Sequence, residues 1–184
     1  MTTDEREVVL KHLADSRERL VNMAQNLSPE QWHYRTGEGR WTVAECVEHI
    51  TTVEGRVIGL IHKSLETGPD ASKRSAMGDD ALVADVAGRI TRFQAPEILV
   101  PKGECPHDQL IKEFDAARQR SREFAGSSEA DLRSHFFRHP MFGDLDLYQW
   151  LLLIGAHCDR HRAQAEEVMA GEGFPRRSSA GASA

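Results

Sequence analysis

A chain of 184 residues, 40% hydrophobic and 28% charged, carries enough apolar material for one globular domain with a real core. Its net charge of −6 argues against a general nucleic-acid binder, which needs a basic face to neutralise phosphates. The N-terminal segment MTTDEREVVLKH has no apolar signal core, and the longest apolar run, near 150–156, is far short of the roughly 20 residues of a membrane span. A cytoplasmic protein with no membrane partner is the expectation.

In chain order, Thr2 and Thr3 before Asp4 and Glu5 read as a capped helix start, and Val9, Leu13, Leu20, Ala24 and Leu27 recur at helical spacing. A long first helix is predicted over about 3–27. Ser28-Pro29-Glu30-Gln31 supplies an N-cap with proline at the first helical position, for a short turn through Trp32. The glycine-containing loop 36–40 ends it.

Thr42 and Glu45 form a capping box for a second long helix, striped by Val43, Val47, Ile50, Val57 and Ile61 and stopped by Gly68-Pro69. His49 lies at the edge of that stripe, with Glu45 one turn before it as a candidate acceptor for its ring. After a polar linker over 68–78, Asp79 and Asp80 start a helix carrying Leu82, Val86, Ile90 and Phe93. Pro96, Pro101 and Pro106 make 95–106 irregular, a segment suited to lying over a pocket or an interface. A further helix is predicted over 107–125, then a short one over 129–134 and an ordered loop over 135–143. No strand pattern stands out. The tail from Gly171 loses periodicity, so the domain is expected to span 1–175 and to leave 176–184 as a disordered tail.

Asp146 and Gln149 open the last helix, Leu147–Met169, around which the chain is organised. At 100° per residue, Trp150, Ile154, His157, Cys158, His161, Ala165 and Val168 share one side of it. Burying a polar ring without a partner costs about 1–3 kcal/mol, so two imidazoles on the apolar face call for a common explanation. At i and i+4 they lie about 6 Å apart, close enough to converge on one cation. The bland alternative is that both fill and hydrogen-bond the core. Cys46, Cys105 and Cys158 show no C-x-x-C spacing and read as small hydrophobes rather than a zinc or disulfide framework.

Four long helices and two or three short ones, joined by loops, predict an all-α helical bundle. In such a bundle the simplest metal site takes His49 from the second helix and His157 and His161 from the last. Three neutral imidazoles leave positions on Zn²⁺ or Ni²⁺ open for water or substrate. Glu45 is the one acid with a spacing argument for a general base. Gln164, one turn after His161, is placed to orient water or substrate, and Arg160 is a candidate cation for a cofactor carboxylate. His139 reads as a residue that packs its loop or lines the pocket, Trp41 and Trp150 as core anchors, and His12, His33, His62, His107 and His135, without a partner at ligand spacing, as solvated or incidental.

Trp41-Thr42-x-x-Glu45-x-x-x-His49-Ile50, His139-Pro140-x-Phe142-Gly143, and Trp150 followed by His157-x-x-Arg160-His161-x-x-Gln164 together resemble the DinB-like superfamily, in its group of YfiT-type metal-dependent hydrolases and thiol S-transferases. The likeness runs over about residues 4–175. It implies an all-α, antiparallel four-helix bundle with additional short helices, commonly a homodimer, in which His49, His157 and His161 bind a divalent metal and a low-molecular-weight thiol can serve as cofactor. The expected function is thus a metal-dependent S-transferase or hydrolase of a small-molecule substrate. The alternatives are a non-catalytic metal-binding or stress-related module and a metal-free helical dimer.

Overall fold

The computed structural model describes residues 1–75, 77–88 and 94–176. It is built from α1 (Thr3–Ala24), α2 (Pro29–Trp32), α3 (Val43–Leu65), α4 (Asp79–Ala87), a single 3₁₀ turn at Glu97–Leu99, α5 (His107–Ser127), a hairpin of β1 (Phe136–His139) and β2 (Gly143–Asp146), and α6 (Leu147–Met169). Four of these helices start on reciprocal capping boxes, Thr2 with Glu5, Ser28 with Gln31, Thr42 with Glu45 and Asp146 with Gln149. Each box satisfies two of the amides that a helix start leaves without partners.

The four long helices form a square in which α1 and α3 each pack against both α5 and α6, while α4 lies along α6. The sequence-adjacent long helices α1 and α3 therefore stand diagonally rather than side by side. The interior has two apolar lobes. Val9, Leu13, Val57, Ile61 and the first half of α6 build one; Leu20, Trp32, Val47, Ile50, Phe114 and Val168 build the other.

Between them runs a polar layer that the apolar spacing did not announce. Arg118 of α5, fully buried, donates from Nε and Nη2 to the Glu54 carboxylate of α3 at 2.8 and 2.9 Å. Its Nη1 donates to Leu13 O and to Ser16 Oγ of α1, both at 2.6 Å. Ser121 Oγ adds a bond to Glu54 Oε1 at 2.7 Å, and the Cys158 thiol of α6 reaches Ser16 O at 3.6 Å. All four long helices thus meet in one layer.

Several expectations need correction. Helix α1 stops at Ala24, because Pro29 disfavours helix in the residue before it and the chain must turn. The 129–134 segment forms turns rather than a helix, with the Asp131 side chain accepting from Arg133 N at 3.2 Å. The supposed loop 135–143 contains the hairpin, in antiparallel register from Phe136 opposite Asp146 to His139 opposite Gly143. Its three-residue connection, Pro140 to Phe142, leads into Gly143 at φ +71°, a left-handed conformation that glycine adopts without a Cβ clash. Ile90 and Phe93, and the tail beyond Arg176, lie outside the described residues.

His12 is packed rather than solvated. A Cβ on Gly155 of α6 would lie 2.2 Å from its Cδ2, so glycine there is what lets α1 approach. His107 is also engaged, its Nε2 lying 3.0 Å from Ala24 O at the end of α1. None of the three cysteines forms a disulfide.

Arg118→Ala leaves Glu54 charged and buried without its partner, and is expected to lower the unfolding free energy by about 3–5 kcal/mol in a urea titration. The double variant Glu54→Leu/Arg118→Met removes both charges and should lose less than the single one. An equal loss would show that packing volume, not charge pairing, governs this layer.

Candidate metal centre

The cleft opens between α3, α4, α6, the hairpin loop and residues 94–99, with a volume of about 790 Å³. Its α3 wall follows from helical spacing, since His49, Val53, Arg56, Leu60 and Lys63 fall within about 80° of one another around the axis. On α6 the same arithmetic brings Trp150, His157 and His161 to the cleft, and Arg160 also lines it. The irregular 95–106 segment does lie over a pocket. Glu48 fastens it, accepting from the Lys102 and Gly103 amides at 3.1 and 2.7 Å.

At the closed end the three predicted imidazoles converge. His49 and His161 are buried and His157 is half-buried, and one ring nitrogen from each lies within 4.8 Å of the other two. Ring centroids are 4.5–5.1 Å apart. Trp41 closes the group, stacked on His161 at 5.6 Å and tilted over His49 at 4.8 Å.

Two of the three rings are held from behind. His49 Nδ1 donates to the Leu99 carbonyl at 2.9 Å, and His161 Nδ1 donates to Gln164 Oε1 at 3.0 Å. A carbonyl oxygen can only accept, so each ring carries its proton on Nδ1 and keeps the Nε2 lone pair. Burial pushes the His49 pKa down. His157 is driven well below the ordinary 6.5, by burial first and then by repulsion from His161 and His49. Neutral rings with fixed tautomers are the form in which imidazole binds a metal.

The donor set fits a divalent ion. Nitrogens at 2.0–2.1 Å from a tetrahedral zinc lie about 3.4 Å apart, so a donor set within 4.8 Å closes on one ion by moving together by about 1.4 Å or less. Three imidazoles, with no fourth donor grouped with them among the described residues, match an open site on a divalent ion rather than a closed structural one.

The other sequence candidates are placed differently. Glu45 does not line the cleft: Oε2 accepts from Thr42 N at 2.7 Å and Oε1 from Arg35 Nη2 at 2.7 Å. Both oxygens are committed to capping α3 and to an ion pair, and the acceptor for the His49 ring is Leu99 O instead. Gln164 stands behind His161 rather than on the cleft wall. Arg160 does face the cleft, and its guanidinium also donates to the carbonyls of Val86 and Gly88 at the end of α4. Trp41 and Trp150 are wall residues as well as anchors.

His139 combines both roles foreseen for it. Its Nδ1 accepts from the Met141 and Phe142 amides at 3.2 and 3.3 Å, closing the hairpin loop, while the ring lines the cleft beside Trp150 at 5.3 Å. Leu99 had no side-chain signal to find, because it acts through its carbonyl. Only the prolines around it marked the segment.

The chain is similar to known proteins in sequence and in fold. The model of the DinB superfamily matches residues 12–165. The chain is 21% identical over 148 residues to the uncharacterised protein YuaE of Bacillus subtilis, covering 80% of this chain and 88% of YuaE. In structure it resembles YfiT from Bacillus subtilis, reported as a probable metal-dependent hydrolase with an unusual four-helix bundle topology. The TM-score is 0.63 at 15% identity, over 92% of this chain and 89% of YfiT.

Burial alone takes His139 down from 6.5 to about 4. A group whose folded pKa is depressed stays neutral while the unfolded chain takes up its proton, so stability is full above pH 6.5 and is lost as pH falls from there toward 4. Thermal melts of the metal-free protein across that window should show a falling midpoint, with a shallower fall in His139→Gln. A flat wild-type profile would contradict the buried neutral ring.

Proposed function

The chain belongs to the DinB superfamily, and from that premise we propose that it is a metal-dependent enzyme acting on small molecules, with His49, His157 and His161 as the ligands of a zinc or nickel ion. The observation that carries this reading is the convergence of three imidazole nitrogens within 4.8 Å, beside a cleft of about 790 Å³. A structural role alone would not need the donors to face a cavity. When bound, the ion would supply Lewis acidity, lowering the pKa of water toward about 7 or favouring the thiolate of a thiol. Hydrolysis and transfer to a low-molecular-weight thiol are accordingly the two reaction classes in view.

The chain's own residues would set the conditions for either. Leu99 O and Gln164 hold the ring tautomers, and Trp41 shields the donors from bulk water. Among the described cleft residues the only carboxylate is that of Asp85. Cys158 is unsuited to be a nucleophile, since burial raises its pKa to about 11. Among the described residues no helix is long and apolar enough to cross a membrane.

Elemental analysis of untagged protein is expected to find close to one zinc or nickel per chain, lost in His49→Ala and in His161→Ala. Gln164→Leu should keep the site but weaken its metal affinity about 10–100-fold, since it removes only the group orienting His161. Unchanged metal content in His161→Ala would end the assignment. With metal bound, turnover of simple esters without added thiol assigns hydrolysis, and turnover of electrophiles only with added thiol assigns transfer. Neither would return the protein to a non-catalytic metal-binding module.

A further inference from the structure

The charge of the cleft runs against the charge of the chain. The whole protein carries −6, yet among the described residues the charged side chains lining the cleft are Arg56, Lys63 and Arg160 against the single acid Asp85. Arg160 is spent in part on the carbonyls at the end of α4. Arg56 and Lys63 are different: both are exposed, and among the described residues neither has an ion-pair partner. Two unpaired cations on the cleft side of one helix are a place for an anion.

The rest of the wall is largely apolar. Val53, Val57, Leu60, Ile98, Met141 and Phe142 all line it. Leu60, Ile98 and Met141 remain 44%, 67% and 43% exposed, although large apolar side chains are normally covered where they can be. At 1.5 Å rise per residue, Arg56 lies about 10 Å and Lys63 about 21 Å along α3 from His49. From the donor end, apolar and cationic side chains alternate along α3: Val53, then Arg56, then Val57 and Leu60, then Lys63.

We infer that the cleft takes an amphipathic organic anion, lying along α3 with its apolar body against Val53, Leu60 and Ile98, its anionic group at Arg56 and Lys63, and its reacting group at the three histidines. This rests on the metal reading above and adds the class of substrate. A ligand of this class places its charge at the cations and its apolar chain out of water, so binding itself orients the far end toward the imidazoles. A neutral or cationic molecule of the same shape gains nothing from Arg56 and Lys63.

Cobalt-loaded protein tests the two readings separately. Its visible absorption reports the histidine site, and loss of that spectrum in His161→Ala checks the metal assignment without any organic ligand. Two eight-carbon hydroxamates then probe the cleft: octanohydroxamate, ending in a methyl group, and suberic acid monohydroxamate, ending in a carboxylate. Titrations followed through the cobalt spectrum are expected to favour the carboxylate compound by about fivefold or more. Arg56→Glu/Lys63→Glu changes only exposed side chains and should keep both the wild-type melting temperature and the cobalt spectrum while cancelling or reversing that preference. Cobalt bound but equal affinities, or a preference that survives the double variant, overturns the substrate class and leaves the metal reading standing. No cobalt spectrum in the wild-type protein overturns both.

Discussion

A fully buried guanidinium is tolerated only if every face of it is answered, and Arg118 is answered by groups from two other helices at once. Its partners are Glu54 on α3 and Leu13 O and Ser16 on α1, with Ser121 completing the carboxylate. Desolvating two charges is expensive, and the return depends on geometry. A slip of α5 by one turn, about 5.4 Å, would strand both charges in the core. The pair therefore acts as a register key: apolar side chains alone tolerate sliding and repacking, whereas this layer is satisfied at one axial alignment.

That alignment is what the metal centre depends on. On α3, Glu54 and His49 are five residues apart, so one faces the bundle interior and the other the cleft. On α6, Cys158 reaches Ser16 O at the layer while the adjacent His157 turns to the cleft. The same two helices thus build the polar layer on one side and the donor set on the other. Fixing α3 against α6 through the layer fixes the spacing of His49 from His157 and His161. The final orientation of the rings is then local, set by Leu99 O, Gln164 and Trp41.

Helix starts and the donor residues were legible because their signals are local. A capping box needs four consecutive residues, as at Thr42–Glu45 and Asp146–Gln149, and H-x-x-x-H on an apolar face needs five. What escaped is what depends on distant partners. Glu54 looks like any helical glutamate until Arg118 arrives 64 residues later. His12 reads as a surface residue unless Gly155, on another helix, is known to leave room for it. The hairpin was missed for a different reason: its strands are four residues each, too short for alternation to be seen, and Phe136-Phe137 interrupts the pattern. The spacing of Glu45 suited two roles, general base and capping box, and the cap and Arg35 take both of its oxygens.

The acids of this chain show where its chemistry does and does not reside. Glu54 neutralises Arg118, Glu45 caps α3, Glu48 holds the segment over the cleft, and Glu5, Asp79 and Asp146 surround Arg133, whose guanidinium sits 3.9 Å from the Tyr148 ring. Each binds one element to another. Where the carboxylates are spent on architecture, the cleft is left with neutral imidazoles at its floor and cations near its mouth. A carboxylate-rich site would favour hard ions and repel anionic ligands; an imidazole site with cationic flanks favours borderline ions such as zinc or nickel and attracts them. The net charge of the chain and that of its described cleft residues thus differ in sign: the acids named above join one element to another, and of the described cleft residues only Asp85 carries a carboxylate.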